Sequence, residues 1–122
     1  MRAAVVTANE RVEYQEIPEP EVKKGYVKVK VRYSGICGSD IPRVLNHGVH
    51  FYPIVLGHEF SGDVVEVGEG VTKVKVGDRV SGAPLVPCMK CGDCQKGNYS
   101  LCKHASFIGS REQGSNADYV VL

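Results

Sequence analysis

The sequence has almost no net charge and no long apolar run, and each absence excludes a class of function. Fifteen lysines and arginines balance fourteen aspartates and glutamates, which leaves a net charge of +1 at pH 7. That balance creates no field that would draw the chain to nucleic acid or to a membrane surface. No stretch approaches the ~20 apolar residues of a membrane-spanning helix, and the apolar N-terminal stretch is too short for the core of a signal peptide. We therefore predict a cytoplasmic protein with no nucleic-acid or membrane partner.

A dinucleotide-binding fingerprint is also missing, and helical patterns are scarce. The pattern G-x-G-x-x-G opens the helix that holds a pyrophosphate, and the glycines of residues 57–70 do not have that spacing. The sequence has no internal repeat, low-complexity segment or linker. One short helix is predicted, which begins at Ser39 or Asp40, runs to Leu45 and has Gly48 beyond its end.

Alternation of apolar and polar residues with a period of two is the dominant pattern. Val27, Val29, Val31 and Tyr33 alternate with lysine and arginine, which predicts a strand with one buried and one solvent-facing side. Further strands are predicted over residues 3–6, 12–17, 64–67, 71–76 and 119–122. Many short strands separated by turn residues, in a chain about one domain long, predict a mainly β fold such as a barrel or a sandwich.

The five cysteines divide into a cluster of four and one that stands alone. Cys88, Cys91, Cys94 and Cys102 form a C-x2-C-x2-C-x7-C pattern. Four thiolates close a tetrahedral zinc site, and C-x2-C turns bring two sulfurs to one ion. A reducing cytoplasm favours metal binding over disulfides. Because four sulfurs leave no position open for a substrate, we predict a structural zinc in a lobe of about residues 86–104.

Two alternatives for the cluster remain open. An iron–sulfur cluster also uses C-x2-C-x2-C, but its bacterial form continues with three residues and a cysteine followed by proline. Here the gap is seven residues, and Lys103 follows Cys102. Unligated buried cysteines are the second alternative, although chance rarely places four within fifteen residues. A cysteine-based redox protein would need a reactive C-x-x-C in a βαβ pattern, and that pattern is missing.

The fifth cysteine indicates a second metal site of a different kind. Cys37 lies far upstream, and its nearest plausible metal-binding companions in the sequence are His58 and Glu59. Alone, a single cysteine is usually a small buried hydrophobe. Together, thiolate, imidazole and carboxylate can hold a catalytic zinc with one position open. Gly35 and Gly38 flank the cysteine and permit the tight backbone that such a loop requires.

One signature resembles that of a known family. It is Gly-His-Glu-Phe-Ser-Gly at residues 57–62, with Gly68 and Val71 beyond it, and it is similar to the signature of zinc-containing alcohol dehydrogenases. Residues 35–40, residues 76–80 and the cysteine lobe occur in that family's order and spacing. The resemblance covers essentially the whole chain. It implies that residues 1–122 are the GroES-like catalytic domain of a medium-chain dehydrogenase/reductase, a partly open β-barrel with few short helices and a zinc-binding lobe.

The resemblance also implies a role for each residue of the second site. Cys37 and His58 would bind a catalytic zinc, with Glu59 as a carboxylate in or behind its coordination shell. Zinc would stabilise an alkoxide near neutral pH, from which hydride passes to NAD or NADP. Ser39 matches the position whose hydroxyl relays the alcohol proton, and a helix cap is its alternative role. Asp40 would either orient a ligating histidine or cap the helix.

Two departures from the family limit what can be carried over. Many members place a histidine three residues after the Ser39 position as the end of a proton relay, and here that residue is Pro42. His47 or His50 would have to replace it, or are ordinary loop histidines. The nicotinamide-binding Rossmann domain, and a further zinc-ligating glutamate, are not among these residues. We therefore expect an excised domain that is inactive alone and whose catalytic site is incomplete.

Within the family, the chain most resembles sugar-alcohol dehydrogenases, above all those acting on galactitol 1-phosphate. Sorbitol and threonine dehydrogenases share much of the pattern. The resemblance implies a polyol or polyol phosphate as substrate and a homo-oligomer when full length. Arg43 and Arg111 are candidates to bind a phosphate, because guanidinium grips it with two hydrogen bonds. The alternative is a freestanding zinc-binding GroES-like module without catalysis, which would have no need of Cys37, His58 and Glu59.

Overall fold

Nine short strands and four single-turn helical segments make up the fold. A computed structural model describes all residues from 1 to 122. The strands are β1 (Arg2–Ala8), β2 (Arg11–Glu16), β3 (Val27–Gly35), β4 (Ile54–Val55), β5 (Glu59–Val67), β6 (Arg79–Ser81), β7 (Leu85–Val86), β8 (Ser106–Phe107) and β9 (Tyr119–Val121). The helical segments are α1 (Asp40–Pro42), a π-helical turn (Arg43–His47), α2 (Gly92–Gln95) and a 3₁₀ turn (Tyr99–Leu101). None of them has the length and apolar composition that crossing a membrane requires.

The strands form three antiparallel sheets. One has the order β2-β1-β4, the largest has the order β6-β5-β3-β9, and β7 pairs with β8. Asp118 connects the first two sheets, because its backbone N–H donates to the carbonyl of Arg2 and its own carbonyl accepts from the N–H of Val31. Its carboxylate also lies 2.9 Å from the Arg2 guanidinium. The prediction of a mainly β fold is confirmed.

Alternation along β3 produces the main core. Val29 is fully buried, while its neighbour Lys30 faces solvent. Tyr33 was predicted on the buried side, and this was wrong, since its side chain is 79% exposed. The register with β5 shifts between Val31 and Tyr33, and an irregularity of this kind turns the following side chain to the other face. The buried members of the main core are Val29, Phe60, Val64, Ile108 and Val120.

The strand predicted over residues 71–76 is not formed. Its alternating valines do not pair with another strand, and residues 73 and 76–77 are bends and turns. The carboxylate of Asp78 accepts the backbone N–H of Lys75 at 2.9 Å, while Gly77 adopts a φ of +94°. Val74 still packs against the main core. A side-chain hydrogen bond to the local backbone has thus replaced the sheet pairing that alternation predicted.

The predicted short helix is present with a different geometry. α1 and the π-helical turn together cover residues 40–47, and Gly48 ends them with a φ of +75°. Ser39 occupies the N-cap position but makes no capping hydrogen bond. The role of Ser39 as a side-chain cap is therefore wrong, and its hydroxyl is free for another partner.

Candidate metal centres

The pairing of β3 with β5 brings the first group of predicted ligands together. In this antiparallel pair Gly35 lies opposite Glu59. Cys37 follows β3 by two residues, and His58 immediately precedes β5. Sγ of Cys37, an imidazole nitrogen of His58 and a carboxylate oxygen of Glu59 all lie within 4.8 Å of one another. The register of β3 and β5 thus makes neighbours of Cys37 and His58, which are far apart in sequence. The role of this group as zinc ligands stays a prediction.

Gly35 makes room for the Glu59 carboxylate. A Cβ atom at position 35 would lie 2.9 Å from Oε2 of Glu59. That separation is below any ordinary contact between these atoms, so a larger residue would displace the carboxylate. Gly38 differs, since a Cβ atom there would meet nothing within 4 Å. Of the two glycines that flank Cys37, only Gly35 lies in close contact with a neighbouring side chain.

His58 is held between an aromatic ring and a buried carboxylate. The rings of His58 and Phe107 meet edge to face, with centroids 5.6 Å apart. Nδ1 of His58 lies 3.7 Å from Oδ1 of Asp40, a residue only 4% exposed. Neither His58 Nδ1 nor Asp40 Oδ2 has a hydrogen-bond partner. A carboxylate beside the non-ligating nitrogen is a common arrangement in zinc sites, so the donor set and its surroundings fit a zinc ion.

Replacing Asp40 with asparagine is expected to weaken zinc binding at Cys37, His58 and Glu59. Loss of such a supporting carboxylate typically reduces metal affinity by about 10- to 100-fold. Competition with a chelator measures the change, and the four-cysteine site provides an internal reference. The control is Asp78→Asn, which removes a carboxylate that binds Lys75 instead. Equal affinities for the Asp40→Asn variant and the wild type would contradict the supporting role of Asp40.

Ser39 lies beside the same group. Its hydroxyl donates a hydrogen bond to Sγ of Cys37 at 3.3 Å, and its side chain is exposed. The hydroxyl is therefore within reach of a molecule bound to a metal at Cys37. This position agrees with a proton-transfer role, which stays a prediction.

The four clustered cysteines form the second group, in a lobe between β7 and β8. The sulfurs of Cys88, Cys91, Cys94 and Cys102 all lie within 4.8 Å of one another, and none forms a disulfide. Sγ of Cys88 is 3.9 Å from Sγ of Cys94. A tetrahedron with Zn–S bonds of about 2.3 Å places its sulfurs about 3.8 Å apart. The spacing fits a four-thiolate zinc site.

Backbone N–H groups stabilise the thiolate form of one cysteine in this cluster. Met89 adopts a φ of +59°, and in this turn the N–H groups of Lys90 and Cys91 point at Sγ of Cys88. These two donors lower the pKa of the Cys88 thiol to about 6, while burial raises the pKa of the Cys94 thiol to about 12. Cys88 is therefore mostly a thiolate at neutral pH, and metal binding would have to displace the proton of Cys94.

Comparisons with known proteins identify the family. The family described as "Alcohol dehydrogenase GroES-like domain" matches residues 23–122. The chain belongs to this family. It is 46% identical over its whole length to galactitol 1-phosphate 5-dehydrogenase of Escherichia coli K12, of which it covers 36%. It is 49% identical over 88% of its length to sorbitol dehydrogenase of Halalkalibacterium halodurans, of which it covers 32%.

Solved structures confirm the fold predicted for a GroES-like domain. Galactitol-1-phosphate dehydrogenase from Escherichia coli superposes with a TM-score of 0.94 at 46% identity, over 100% of this chain and 36% of that one. A cobalt- and zinc-bound alcohol dehydrogenase from Pyrobaculum aerophilum superposes with a TM-score of 0.91 at 32% identity, over 100% and 39%. The chain thus spans little more than a third of these relatives.

A cavity of about 320 Å³ is connected to the Cys37 group of the GroES-like domain through Asp40, which contacts both His58 and the cavity residue Arg43. Arg43 lines it, and Nη1 of Arg43 donates to Oδ1 of Asp40 at 3.4 Å. Arg111, the other arginine considered for a phosphate, is exposed and does not line this cavity. The complete lining is Arg43, His47, Gly48, Val49, His50, Leu56 and Ser110.

Residues 108–116 pack against the backbone that precedes His58, and no sequence pattern indicated this contact. A Cβ atom on Gly109 would overlap the carbonyl oxygen of Gly57, and one on Gly57 would lie 2.7 Å from Oγ of Ser115. The backbone N–H of Ser115 donates to the Gly57 carbonyl at 2.9 Å. Ser34 on β3 is 2.8 Å from both Ser115 Oγ and Asn116 Oδ1. The backbone before His58 is thus held on both sides, and no short motif signals such contacts.

Proposed function

We propose that this chain is the metal-binding catalytic part of a zinc- and NAD(P)-dependent polyol dehydrogenase. The reaction would oxidise a secondary alcohol of a sugar alcohol, or of its phosphate, to a ketose. One observation carries the proposal: Cys37, His58 and Glu59 lie within 4.8 Å of one another, apart from the four-cysteine cluster. A purely structural domain would need only that cluster. The similarity to dehydrogenases of galactitol 1-phosphate and sorbitol supports the substrate class.

Within this chain, the protein side of the catalytic centre would consist of three ligands and their supports. Cys37, His58 and Glu59 would hold zinc, with Asp40 and Phe107 fixing the His58 ring. Bound zinc supplies a Lewis acid that lowers the pKa of a coordinated alcohol. The three protein ligands leave a position for that alcohol, as is usual at catalytic rather than structural zinc.

Ser39 would accept the proton that leaves the alcohol. Its hydroxyl is 3.3 Å from Sγ of Cys37 and exposed, so it can pass a proton directly to water. A histidine at position 42 is then unnecessary, which accounts for Pro42 at that place. Serine both donates and accepts, so one rotation of the hydroxyl completes the transfer.

The lobe would serve stability rather than chemistry. Cys88, Cys91, Cys94 and Cys102 would coordinate a structural zinc, and four thiolates leave no open position. The nicotinamide dinucleotide, NAD or NADP, would be bound by residues outside this chain, because no glycine-rich fingerprint occurs within it. The 122 residues alone would then bind metal without oxidising alcohols, and the full-length enzyme would be a homo-oligomer.

Metal content and alcohol oxidation together test the proposal. The purified chain is expected to contain two zinc ions, and Cys37→Ser is expected to retain one. The full-length protein is expected to reduce NAD or NADP when given galactitol, sorbitol or galactitol 1-phosphate, and its Cys37→Ser variant is expected to be inactive. Threonine, tested under the same conditions, checks the alternative specificity.

Two results would contradict the proposal. One is a single zinc ion per chain that remains after Cys37→Ser, which would leave only the cysteine cluster as a metal site. The other is a full-length protein that carries two zinc ions and oxidises no polyol with either cofactor. In that case the freestanding zinc-binding module would become the better interpretation.

A further inference from the structure

The cavity connected to the Cys37 group through Asp40 has the chemistry of an anion-binding site. Three of its lining residues are Arg43, His47 and His50, and none of the seven is a carboxylate. Its volume of about 320 Å³ lies at the lower end of the ~300–1,000 Å³ typical of small-molecule sites. We propose that this cavity binds the phosphate group of a phosphorylated polyol substrate. The inference rests on the proposed dehydrogenase function and specifies its substrate class.

Arg43 supplies the fixed positive charge. Its guanidinium carries five N–H donors, and the structure engages one of its nitrogens, at 3.4 Å from Oδ1 of Asp40. The side chain is 30% exposed, so the remaining donors can reach an anion in the cavity. Because Asp40 holds one edge of the planar group, the opposite edge is preoriented for a phosphate, which guanidinium binds with two parallel hydrogen bonds.

Ser110 supplies a further hydroxyl to the cavity lining. A serine hydroxyl both donates and accepts hydrogen bonds, so it can donate to a phosphate oxygen. The exposed imidazoles of His47 and His50 also line the cavity.

Short connections join the cavity to the reaction centre. Asp40 contacts Arg43 on one side and His58 on the other, at 3.4 Å and 3.7 Å from the same oxygen atom. Leu56, which lines the cavity, precedes His58 by two residues. A polyol can therefore place one hydroxyl at the Cys37 group while its terminal phosphate occupies the cavity. The dinucleotide cofactor also carries phosphates, so the experiment must separate the two sources.

Steady-state kinetics of the full-length protein test the assignment. Galactitol 1-phosphate is compared with unphosphorylated galactitol in the wild type and in the variants Arg43→Ala and His50→Ala. Loss of a charge-assisted hydrogen bond to phosphate is expected to raise the KM for the phosphate ester about 10- to 100-fold. The KM for galactitol is expected to change much less, and the KM for the dinucleotide is expected to stay unchanged. Arg79→Ala, which removes a positive charge from exposed β6, is the matched control.

The outcomes separate this inference from the proposed function. Three results for Arg43→Ala would overturn the phosphate site and leave the proposed dehydrogenase function intact. They are an equal effect on the KM of both polyols, no effect on either, and a rise confined to the KM of the dinucleotide. If no polyol is oxidised, the proposed function fails. A ³¹P NMR titration of the zinc-loaded protein with inorganic phosphate then tests whether the cavity binds an anion. Binding that Arg43→Ala abolishes and Arg79→Ala preserves supports an anion site; binding unchanged by Arg43→Ala overturns it. If Arg43→Ala misfolds, Arg43→Lys replaces it in the test. This variant keeps the charge and is expected to retain part of the affinity for phosphate.

Discussion

Replacing Cys102 with serine is expected to remove one of two zinc ions and to unfold the lobe between β7 and β8. The reason is that the lobe has almost no core of its own. Between residues 87 and 105 only Cys94 and Cys102 are buried, and large apolar side chains such as Leu101 are exposed. With so little apolar surface removed from water, the metal must supply the stability of this segment. A serine hydroxyl does not ionise at neutral pH and cannot replace the thiolate.

Zinc analysis and limited proteolysis together measure this effect. Zinc content is expected to fall from two to one per chain, and trypsin is expected to cleave at the exposed Lys90, Lys96 and Lys103 many times faster than in the wild type. The sheets outside the lobe should keep their amide protection. Cys37→Ser is the matched control, because it also removes one thiolate and one zinc but leaves the lobe intact. A variant of Cys102 that stays resistant to trypsin would show that the lobe folds without metal.

Gly109→Ala is expected to produce the second large effect, on both stability and zinc binding. A Cβ atom there would overlap the Gly57 carbonyl oxygen and lie 2.8 Å from its carbon, and the φ of Gly109 is +71°. The left-handed backbone costs an alanine about 1–2 kcal/mol, and overpacking adds about 1–3 kcal/mol. We therefore expect the free energy of unfolding to fall by about 3 kcal/mol. Since Gly57 adjoins His58, the Cys37 group should also bind zinc more weakly.

Gly70→Ala separates the two causes. Gly70 has a φ of +84°, but a Cβ atom there would meet nothing within 4 Å. This control is expected to lose only the backbone term, about 1–2 kcal/mol, and to keep both zinc ions. Urea unfolding and chelator competition measure both quantities. If the two variants lose equal stability and retain equal zinc affinity, residues 108–116 do not hold the backbone before His58.

The two clusters of candidate metal ligands could be predicted from the sequence because their signals are local or chemically rare. The spacing of Cys88, Cys91 and Cys94 marks one cluster without reference to the fold, and the sulfurs do lie together. Grouping Cys37 with His58 relied on the combination of thiolate, imidazole and carboxylate and on the family signature at residues 57–62, since His47 and His50 lie nearer in sequence. Their actual approach depends on the register in which Gly35 faces Glu59, which alternation does not specify.

Features decided by individual hydrogen bonds, register shifts and close packing could not be predicted from sequence patterns. Alternation at residues 71–76 indicates a strand, but the local hydrogen bond from Lys75 to Asp78 prevails. Tyr33 fits the buried side of β3 until the register shift next to it turns the side chain outward. The packing of Gly109 on Gly57 leaves no trace in a single sequence, because each glycine alone is compatible with an ordinary turn.

The pairing of β3 with β5 would also couple zinc binding at the Cys37 group to anion binding in the cavity. Zinc held by Cys37 and His58 would join the two ends of residues 38–57, the segment that carries Arg43, His47 and His50. Closing a loop restricts its conformations, so the metal would preorganise the anion cavity as well as activate the alcohol. Linkage is reciprocal. A phosphate in the cavity would then strengthen zinc binding, and an enzyme that holds a phosphorylated substrate would retain zinc against a chelator better than the free enzyme.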